Sequence, residues 1–176
     1  CDCGLRHLQK LNVKPDLIVG DFDSHKNPHL PVETIVLPCE KDDTDTGFAV
    51  KEALKRGAND FLFLGVIGNR FDHSFANISI LLMLDTLGKS ALAIDDFSEL
   101  QIISSQKAFI SDEFSFFSLL NVSGTAEGIS IKNAKYPLEN AIIKSEDQYG
   151  ISNQVLPNQI AEVSIQKGRL LLIRVK

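Results

Sequence analysis

In the first part of the chain, short apolar runs alternate with longer segments in which apolar residues recur at helical spacing. Buried strands are predicted at four such runs, which cover residues 16–20, 33–37, 61–65 and 91–94. Helices are predicted where apolar residues recur at helical spacing or form a longer apolar stretch, at residues 5–11, 45–56 and 75–87. Strands that alternate with helices are typical of a parallel sheet with helices on its faces. We therefore predict an α/β domain over residues 1–98.

The pattern changes from about Glu99 onward, where short alternating runs replace the helices. These runs predict strands at residues 100–104, 113–120, 128–132, 141–144, 163–166 and 169–175. The last two are separated by a short polar segment with Gly168, which can adopt positive φ, and we predict that they form a hairpin. An all-β sandwich domain over residues 99–176 is the expected fold of this part.

Composition and charge exclude several classes of protein. The 176 residues are 44% apolar and 23% charged, which suits a folded core and excludes a disordered chain. The net charge of −5 lies entirely in residues 1–98, and no basic surface for nucleic acid is expected. No apolar run approaches the roughly 20 residues of a membrane helix. We expect a cytoplasmic protein without a nucleic-acid or membrane partner.

The three cysteines do not form a disulfide framework or a zinc site. Cys1, Cys3 and Cys39 are odd in number, and no second Cys/His pair with ligand spacing follows Cys1 and Cys3. Free thiols in a reducing compartment are the expected state.

Carboxylates follow three predicted strands of the first part. They are Asp21 and Asp23 after the first strand, Asp42, Asp43 and Asp45 after the second, and Asp72 after the third. Loops after parallel strands emerge at the same sheet edge, where open α/β sheets bind ligands. Carboxylates gathered at one edge repel each other unless a cation such as Mg²⁺ lies among them. The sequence predicts a divalent-metal site there.

Cationic side chains are interleaved with these acids. Lys41 and Arg70 could bind the oxygens of a phosphate, and the start of the helix after Asp72 could add backbone N–H groups. Each loop also has a plain structural alternative. Asp43 or Thr44 could cap the following helix, and Arg70 with Asp72 could be a surface ion pair. Three acidic loops together favour a metal–phosphate site.

Several familiar catalytic motifs are absent from the sequence. It contains no G-x-x-x-x-G-K-[ST] phosphate loop, no G-x-G-x-x-G after a strand and no G-x-S-x-G nucleophile elbow. These absences argue against a P-loop kinase, a dinucleotide-dependent oxidoreductase and an α/β-hydrolase.

Four motifs, in this order, resemble those of the thiamine pyrophosphokinase family. They are PDLIVGDFDS at 15–24, KDDTD at 41–45, GNRFDH at 68–73 with a later Asn77, and Ser152-Asn153 after Gly150. At the start, Cys1-Asp2-Cys3-Gly4 differs from the family's A-D-G-G because Cys3 replaces a glycine. The family's first strand would precede this motif, so we expect that an N-terminal strand is missing from the sequence.

The resemblance implies an activity and an assembly. Members of this family transfer a pyrophosphoryl group from ATP to the hydroxyl of thiamine, release AMP, use Mg²⁺ and act as homodimers. Their active site lies at the subunit interface, and their α/β domain is followed by a β-sandwich that binds thiamine.

The resemblance also implies roles for individual residues. The implied Mg²⁺ ligands are Asp21, Asp23 and Asp45. A second pair of carboxylates, Asp42 and Asp72, would tune the site or accept the proton of the thiamine hydroxyl. The implied ATP-binding residues are Asp2, Gly4, Lys41, Thr44, Arg70 and His73. The implied thiamine-binding residues are Ser152 and Asn153.

Two other functions stay open at this point. The chain could be a thiamine- or nucleotide-binding sensor without turnover, which would bind ligand but release no AMP. It could also be another Mg²⁺-dependent nucleotidyl or glycosyl transferase, since a D-x-D pair such as Asp21 and Asp23 also holds Mg²⁺ or Mn²⁺ in glycosyltransferases. A nucleoside diphosphate product, in place of AMP, would indicate a glycosyltransferase.

Overall fold

A computed structural model describes residues 1, 4–23 and 26–176, and the part it describes is mostly β-structure. Its helices are α1 Leu5–Leu11, α2 Asp45–Lys55 and α3 Phe71–Thr86. The strands β1 to β4 are Leu17–Gly20, Glu33–Val36, Asp60–Leu64 and Ser90–Ile94. The strands β5 to β11 are Ser98–Ile103, Ala108–Ser111, Phe116–Leu120, Thr125–Lys132, Leu138–Lys144, Ile160–Ser164 and Leu170–Val175.

The described strands form three sheets. The parallel pair β1–β2 is one sheet. The second sheet has the order β3-β4-β5-β11-β7, with β3 and β4 parallel and the other neighbours antiparallel. The third is antiparallel, in the order β6-β10-β8-β9. Backbone contacts divide the chain into two compact units, Cys1–Asn59 and Asp60–Lys176.

The first unit is built on β1 and α2. Ile18 and Val19 of β1 are buried, as an apolar run within a parallel pair requires. Helix α2 begins after Thr44, whose Oγ1 accepts a hydrogen bond from the N–H of Gly47. Val50 is the buried apolar side chain of this helix. The order of these elements places the ends of β1 and β2 near the start of α2.

The second unit has two apolar cores, one on each face of its five-stranded sheet. Successive side chains of β11 point to opposite faces. Leu170 and Leu172 belong to the core shared with the four-stranded sheet, whereas Leu171 packs with Leu81 of α3. The five-stranded sheet is therefore sandwiched between helix α3 and the four-stranded sheet.

The fold prediction is confirmed in part. Strands and helices lie close to the predicted positions, and both β1–β2 and β3–β4 are parallel. The single parallel sheet is not what the structure shows. The two parallel pairs lie in different sheets, and β4 pairs antiparallel with β5. Asp95 explains the reversal, because its Oδ1 accepts hydrogen bonds from the N–H groups of Phe97 and Ser98 in the tight turn between these strands. The domain boundary at residues 98 and 99 stays a prediction.

The predicted hairpin of residues 163–175 is wrong, although Gly168 does have a positive φ of 94°. Strand β10 pairs with β6 and β8, whereas β11 pairs with β5 and β7. Between them, the backbone of Lys167 pairs with Glu127 of β8, and the chain then crosses to the other sheet.

Two further elements differ from the sequence prediction. Strand β6, of only four residues, was not predicted. Helix α3 begins at Phe71, four residues earlier than its apolar run indicates, so that Asp72 lies in its first turn. None of the described helices is long and apolar enough to span a membrane.

Candidate active site

Lys41 lies between two of the predicted metal ligands. Its Nζ is 2.5 Å from Oδ2 of Asp21 and 3.0 Å from Oδ1 of Asp45. All three side chains are largely enclosed, with exposed fractions of 16% for Lys41, 10% for Asp21 and 17% for Asp45. Lys41 also donates to the carbonyl of Pro38 at 3.3 Å. The loops after β1 and β2 therefore meet, as the parallel pairing predicts.

The position of each group follows from the local structure. Asp21 directly follows the last residue of β1, and Asp45 is the first residue of α2. Lys41 is four residues before Asp45. Because β1 and β2 are parallel neighbours, their carboxyl ends bring these residues to one edge.

The electrostatics of this group are dominated by the ammonium. The hydrogen bond from Lys41 lowers the pKa of Asp21, with a smaller contribution from the backbone N–H of Asp23. The hydrogen bond to Asp21 and the nearby carboxylate of Asp45 raise the pKa of Lys41. Lys41 is therefore charged at neutral pH.

Thr44 and Asp43 stabilise the start of α2, as predicted by the alternative in which one of them caps this helix. Thr44 caps the helix, and Asp43 Oδ1 accepts the N–H of Thr44 at 2.9 Å. Asp43 also accepts from Lys51 Nζ at 2.6 Å. A Cβ at Gly47 would lie 2.3 Å from Asp43 Oδ1, so a larger residue here would displace the Asp43 carboxylate from this position.

The remaining carboxylates of the first unit are more exposed. Asp23 is exposed, and its backbone N–H donates to Asp21 Oδ1 at 3.2 Å. Asp42 is exposed as well. Within the described residues, no three His, Cys, Asp or Glu side chains are gathered closely enough to hold a metal ion. The three predicted ligands are thus not assembled as one set.

The carboxylate oxygens of two predicted ligands, Asp21 and Asp45, nevertheless suit a hard cation. The Asp21 and Asp45 carboxylates converge on one point, now taken by the Lys41 ammonium. Asp45 Oδ1 is buried and receives no hydrogen bond of good geometry from the described residues. Oxygen ligands of this kind fit Mg²⁺.

Arg70 and Asp72 form a forked ion pair in the second unit. Arg70 Nε lies 3.0 Å from Asp72 Oδ1, and its second nitrogen lies 2.6 Å from Oδ2. This pair lowers the pKa of Asp72 and raises that of Arg70. Both side chains are exposed, at 71% and 64%, as the surface-pair alternative predicted. His73 follows them in the first turn of α3 and is also exposed.

Two buried residues hold the loop that carries Arg70, and sequence reasoning gave neither a site role. The Ser74 hydroxyl accepts the N–H of Gly68 at 3.0 Å, and Asn77 Nδ2 donates to the carbonyl of Val66 at 2.7 Å. Asn77 belongs to the motif quoted above. A polar residue among the apolar residues of a helix was the feature that could have indicated its structural role.

Ser152 and Asn153 have different surroundings. Asn153 is buried: its Oδ1 accepts from the N–H of Tyr136 and of Gln154, and its Nδ2 donates to the carbonyl of Tyr136. Ser152 is exposed, with a positive φ of 56°. Asn153 therefore holds the backbone beside Ser152, whereas the Ser152 side chain is exposed.

Two predicted ATP-binding residues lie at the start of the chain. Asp2 is outside the described residues. Gly4 is exposed, and its N–H donates to the carbonyl of Cys1 at 3.0 Å.

The predicted site residues fall into both compact units. The Lys41 group belongs to Cys1–Asn59, and the residues Arg70, Asp72, His73, Ser152 and Asn153 belong to Asp60–Lys176. That these residues form one site stays a prediction.

Comparison with known proteins places the chain in a family. Residues 1–92 match the model described as "Thiamin pyrophosphokinase, catalytic domain", and residues 102–170 match "Thiamin pyrophosphokinase, vitamin B1 binding domain". A curated thiamine pyrophosphokinase of Bacillus subtilis is 26% identical over 98% of this chain and 84% of its own length.

Solved structures agree with these matches. The crystal structure of the Bacillus subtilis thiamine pyrophosphokinase has a TM-score of 0.86, at 26% identity over 99% of this chain and 85% of that one. The Geobacillus thermodenitrificans thiamin pyrophosphokinase has a TM-score of 0.83, at 26% identity over 99% of this chain and 84% of that one. Since the family models cover both halves, the chain belongs to the thiamin pyrophosphokinase family of enzymes.

Proposed function

We propose that this chain transfers the pyrophosphoryl group of ATP to the hydroxyl of thiamine in a Mg²⁺-dependent reaction. The hydroxyl oxygen gives up its proton and forms a bond to the β-phosphorus of ATP. The bond from that phosphorus to the oxygen shared with the α-phosphorus breaks, and AMP leaves with that oxygen. The products are thiamine diphosphate and AMP. The observation that carries this proposal is the match to both the catalytic and the vitamin B1 binding models of one family.

The proposed metal ligands are Asp21, Asp23 and Asp45. The convergence of Asp21 and Asp45 supports this assignment, as does the buried Asp45 Oδ1, which the Lys41 ammonium approaches without good hydrogen-bond geometry. When bound, the ion neutralises charge on the ATP phosphates. Asp23 is exposed at the same edge and would need to turn toward the other two.

Three basic side chains would stabilise the charge that develops on the transferred phosphates. Lys41, Arg70 and His73 are proposed for this role. Arg70 offers a planar fork that suits phosphate oxygens, and it already binds a carboxylate through two nitrogens. Asp2, Gly4 and Thr44 are the other proposed ATP-binding residues.

Asp42 and Asp72 are the candidate acceptors of the hydroxyl proton. The ion pair with Arg70 lowers the pKa of Asp72 and makes it a weaker base. This favours Asp42, which is exposed, while Asp72 would orient Arg70.

Thiamine is proposed to bind at Ser152, with Asn153 holding the backbone beside it. We also propose that the enzyme is a cytoplasmic homodimer with its active site at the subunit interface. In this proposal an α/β domain of residues 1–98 binds ATP, and a β-sandwich of residues 99–176 binds thiamine. The ranges of the two family models, 1–92 and 102–170, support such a division.

Product identity tests the reaction. We expect the purified protein, given ATP, Mg²⁺ and thiamine, to release AMP and thiamine diphosphate in equal amounts, and AMP only when thiamine is present. Separation of the nucleotides by chromatography measures both. ADP as the product would contradict pyrophosphoryl transfer, and thiamine binding without turnover would indicate a sensor.

A matched pair of variants tests the role of Asp23. Asp23→Ala should abolish turnover and leave the melting temperature unchanged or raised, because an exposed carboxylate among other acids contributes no packing. Asp96→Ala removes an exposed carboxylate of the β4–β5 turn and should retain turnover. Normal turnover in Asp23→Ala would remove Asp23 from the mechanism.

A further inference from the structure

The Lys41 ammonium occupies the point at which two proposed metal ligands meet. It is 2.5 Å from one carboxylate oxygen and 3.0 Å from the other, and the exposed fractions of Asp21 and Asp45 are 10% and 17%. A divalent ion bound by both carboxylates would need the same space. The ammonium and the ion are therefore alternatives at this point.

The contact with Asp45 is an ion pair without good hydrogen-bond geometry. Asp45 Oδ1 is buried and otherwise has no hydrogen-bond partner in the described part of the chain. A buried carboxylate oxygen whose near donor is poorly aligned is incompletely compensated for its burial, and a well-placed cation is the partner that best offsets the cost. Lys41 supplies a single charge, and a divalent ion would satisfy this oxygen better.

Binding of the metal in the presence of this ammonium is opposed by charge repulsion. Two cations within a few ångströms in a largely enclosed site disfavour one another. Lys41 must therefore leave before or while the ion enters. Its long flexible side chain can do so if another anion receives it, and polyphosphate is the anion that the proposed reaction brings.

We propose that Lys41 is a positioning residue that holds the metal site closed until nucleotide phosphates draw its ammonium away. The free protein then binds divalent metal weakly, and nucleotide and metal strengthen each other's binding, as thermodynamic linkage requires. This inference rests on the proposed function, because the nucleotide is the second ligand.

A purely structural role for Lys41 makes a different prediction. Lys41 joins the loop after β2 to the end of β1, and such a link would stabilise the fold without affecting metal affinity. Its removal would lower the melting temperature, and added Mg²⁺ would not restore it.

Direct metal binding to the nucleotide-free protein distinguishes the two roles. Mn²⁺ is titrated in place of Mg²⁺ and followed by electron paramagnetic resonance. We expect Lys41→Met to bind Mn²⁺ about tenfold more tightly than the unmodified protein, within the usual range of coupling between sites. The matched control is Lys51→Met, because Lys51 pairs with Asp43 and not with Asp21 or Asp45, and its affinity should not change.

The melting temperature gives a second readout that does not depend on turnover. Without metal, Lys41→Met should melt below the unmodified protein, since Asp21 and Asp45 then lack a counter-ion. Millimolar Mg²⁺ should restore much of that loss in Lys41→Met and have little effect on the unmodified protein or on Lys51→Met. If Lys41→Met does not fold, Lys41→Gln removes the charge and keeps a polar side chain for the same measurements.

Unchanged or weaker Mn²⁺ binding in the Lys41 variant, with no rescue by Mg²⁺, would overturn the inference. Because neither measurement uses thiamine or turnover, that result is separate from the reaction. A protein that releases AMP normally while Lys41→Met shows no tighter metal binding would keep the proposed function and lose this inference. Tighter metal binding by Lys41→Met in a protein that releases no AMP would support the closed metal site and contradict the proposed reaction.

Discussion

The Asn153 side chain links two segments of backbone in the second unit. Its Oδ1 accepts the N–H of Tyr136 at 3.0 Å, and its Nδ2 donates to the carbonyl of the same residue at 2.7 Å. Its own backbone pairs in both directions with Phe117. A residue used in this way fixes the chain beside Ser152, and the sequence motif alone could not separate that role from ligand binding.

Substitution of these neighbours separates bracing from binding. Asn153→Ala should lower the free energy of unfolding by about 1–3 kcal/mol, because it removes a buried side chain together with its hydrogen bonds to the backbone of Tyr136 and Gln154. Ser152→Ala should change stability by less than about 0.5 kcal/mol, as expected for an exposed side chain, and should raise the KM for thiamine. Urea unfolding and steady-state kinetics measure the two effects. Equal stability losses in both variants would contradict this division.

The sequence predicted which charged residues of the candidate site lie close together, but not which side chains pair with each other. The D-x-D and K-D-D-T-D spacings predicted that acids and a lysine gather where β1 and β2 end, and Lys41 does contact Asp21. The partner of each charge could not be predicted, because a carboxylate at a helix start fits a cap, an ion pair or a metal equally well. Thr44 proved to be the cap, and Asp43 the partner of Lys51.

At the scale of elements, the segment between β10 and β11 depends on Gly168. Its φ is 94°, and a Cβ at this position would lie 2.6 Å from the carbonyl oxygen of Thr125 and 2.8 Å from Cα of Ala126. Gly88, after α3, also has a positive φ, of 68°, but nothing lies within 4 Å of a Cβ placed there. The two glycines differ in how crowded a Cβ would be, but both have a positive φ that would strain any residue with a Cβ.

Alanine substitutions at these two positions separate backbone strain from crowding. Gly88→Ala should cost about 1 kcal/mol of unfolding free energy, from the left-handed conformation alone. Gly168→Ala should cost more, about 2–4 kcal/mol, because backbone atoms must also move. Chemical denaturation of both variants under one set of conditions measures the difference. Similar losses in the two would show that the crowding at Gly168 is relieved easily.

The same segment shows why strand partners were harder to predict than strands. The apolar pattern predicted strands at residues 163–166 and 169–175, close to where β10 and β11 lie. Periodicity does not name the neighbour of a strand, and a short connection with a glycine suits a hairpin as well as a crossing between sheets. The backbone pairing of Lys167 with Glu127 directs this segment across to the other sheet, and that pairing joins residues distant in sequence.

For the whole molecule, ion pairs and hydrogen bonds hold several carboxylates in their charged form. The pKa values of Asp21, Glu33, Asp72 and Glu162 are lowered chiefly by hydrogen bonds from a lysine or an arginine. Burial raises the pKa of Asp95, but hydrogen bonds from Phe97 and Ser98 outweigh it and leave that pKa lowered. Each group binds its proton less readily in the folded chain than in the unfolded one.

The sign of these shifts predicts acid sensitivity. A lowered pKa stabilises the fold above the ordinary values of 3.8 for Asp and 4.5 for Glu, and the stabilisation is lost as the pH falls through the lowered value. The melting temperature should thus vary little between about pH 5 and pH 7 and decline below about pH 4. Calorimetry across this range measures it.

Asp95 offers a control for this pH dependence. Asp95→Asn keeps an oxygen acceptor for Phe97 and Ser98 and removes the titrating group, so the acid decline should be shallower. Asp96→Asn, at the exposed neighbouring position, should follow the unmodified protein. An Asp95→Asn curve that is parallel to the unmodified one would mean that Asp95 does not contribute to the decline.

Strand β11 lies between β5 and β7 in the sheet, although both precede it in the chain. While the protein is being synthesised, β5 and β7 therefore emerge from the ribosome long before the strand that joins them. Until then each presents an unpaired backbone edge, and such edges recruit strands of other chains. The yield of folded protein in a cell should consequently depend on growth temperature and chaperone supply more strongly than its final stability suggests.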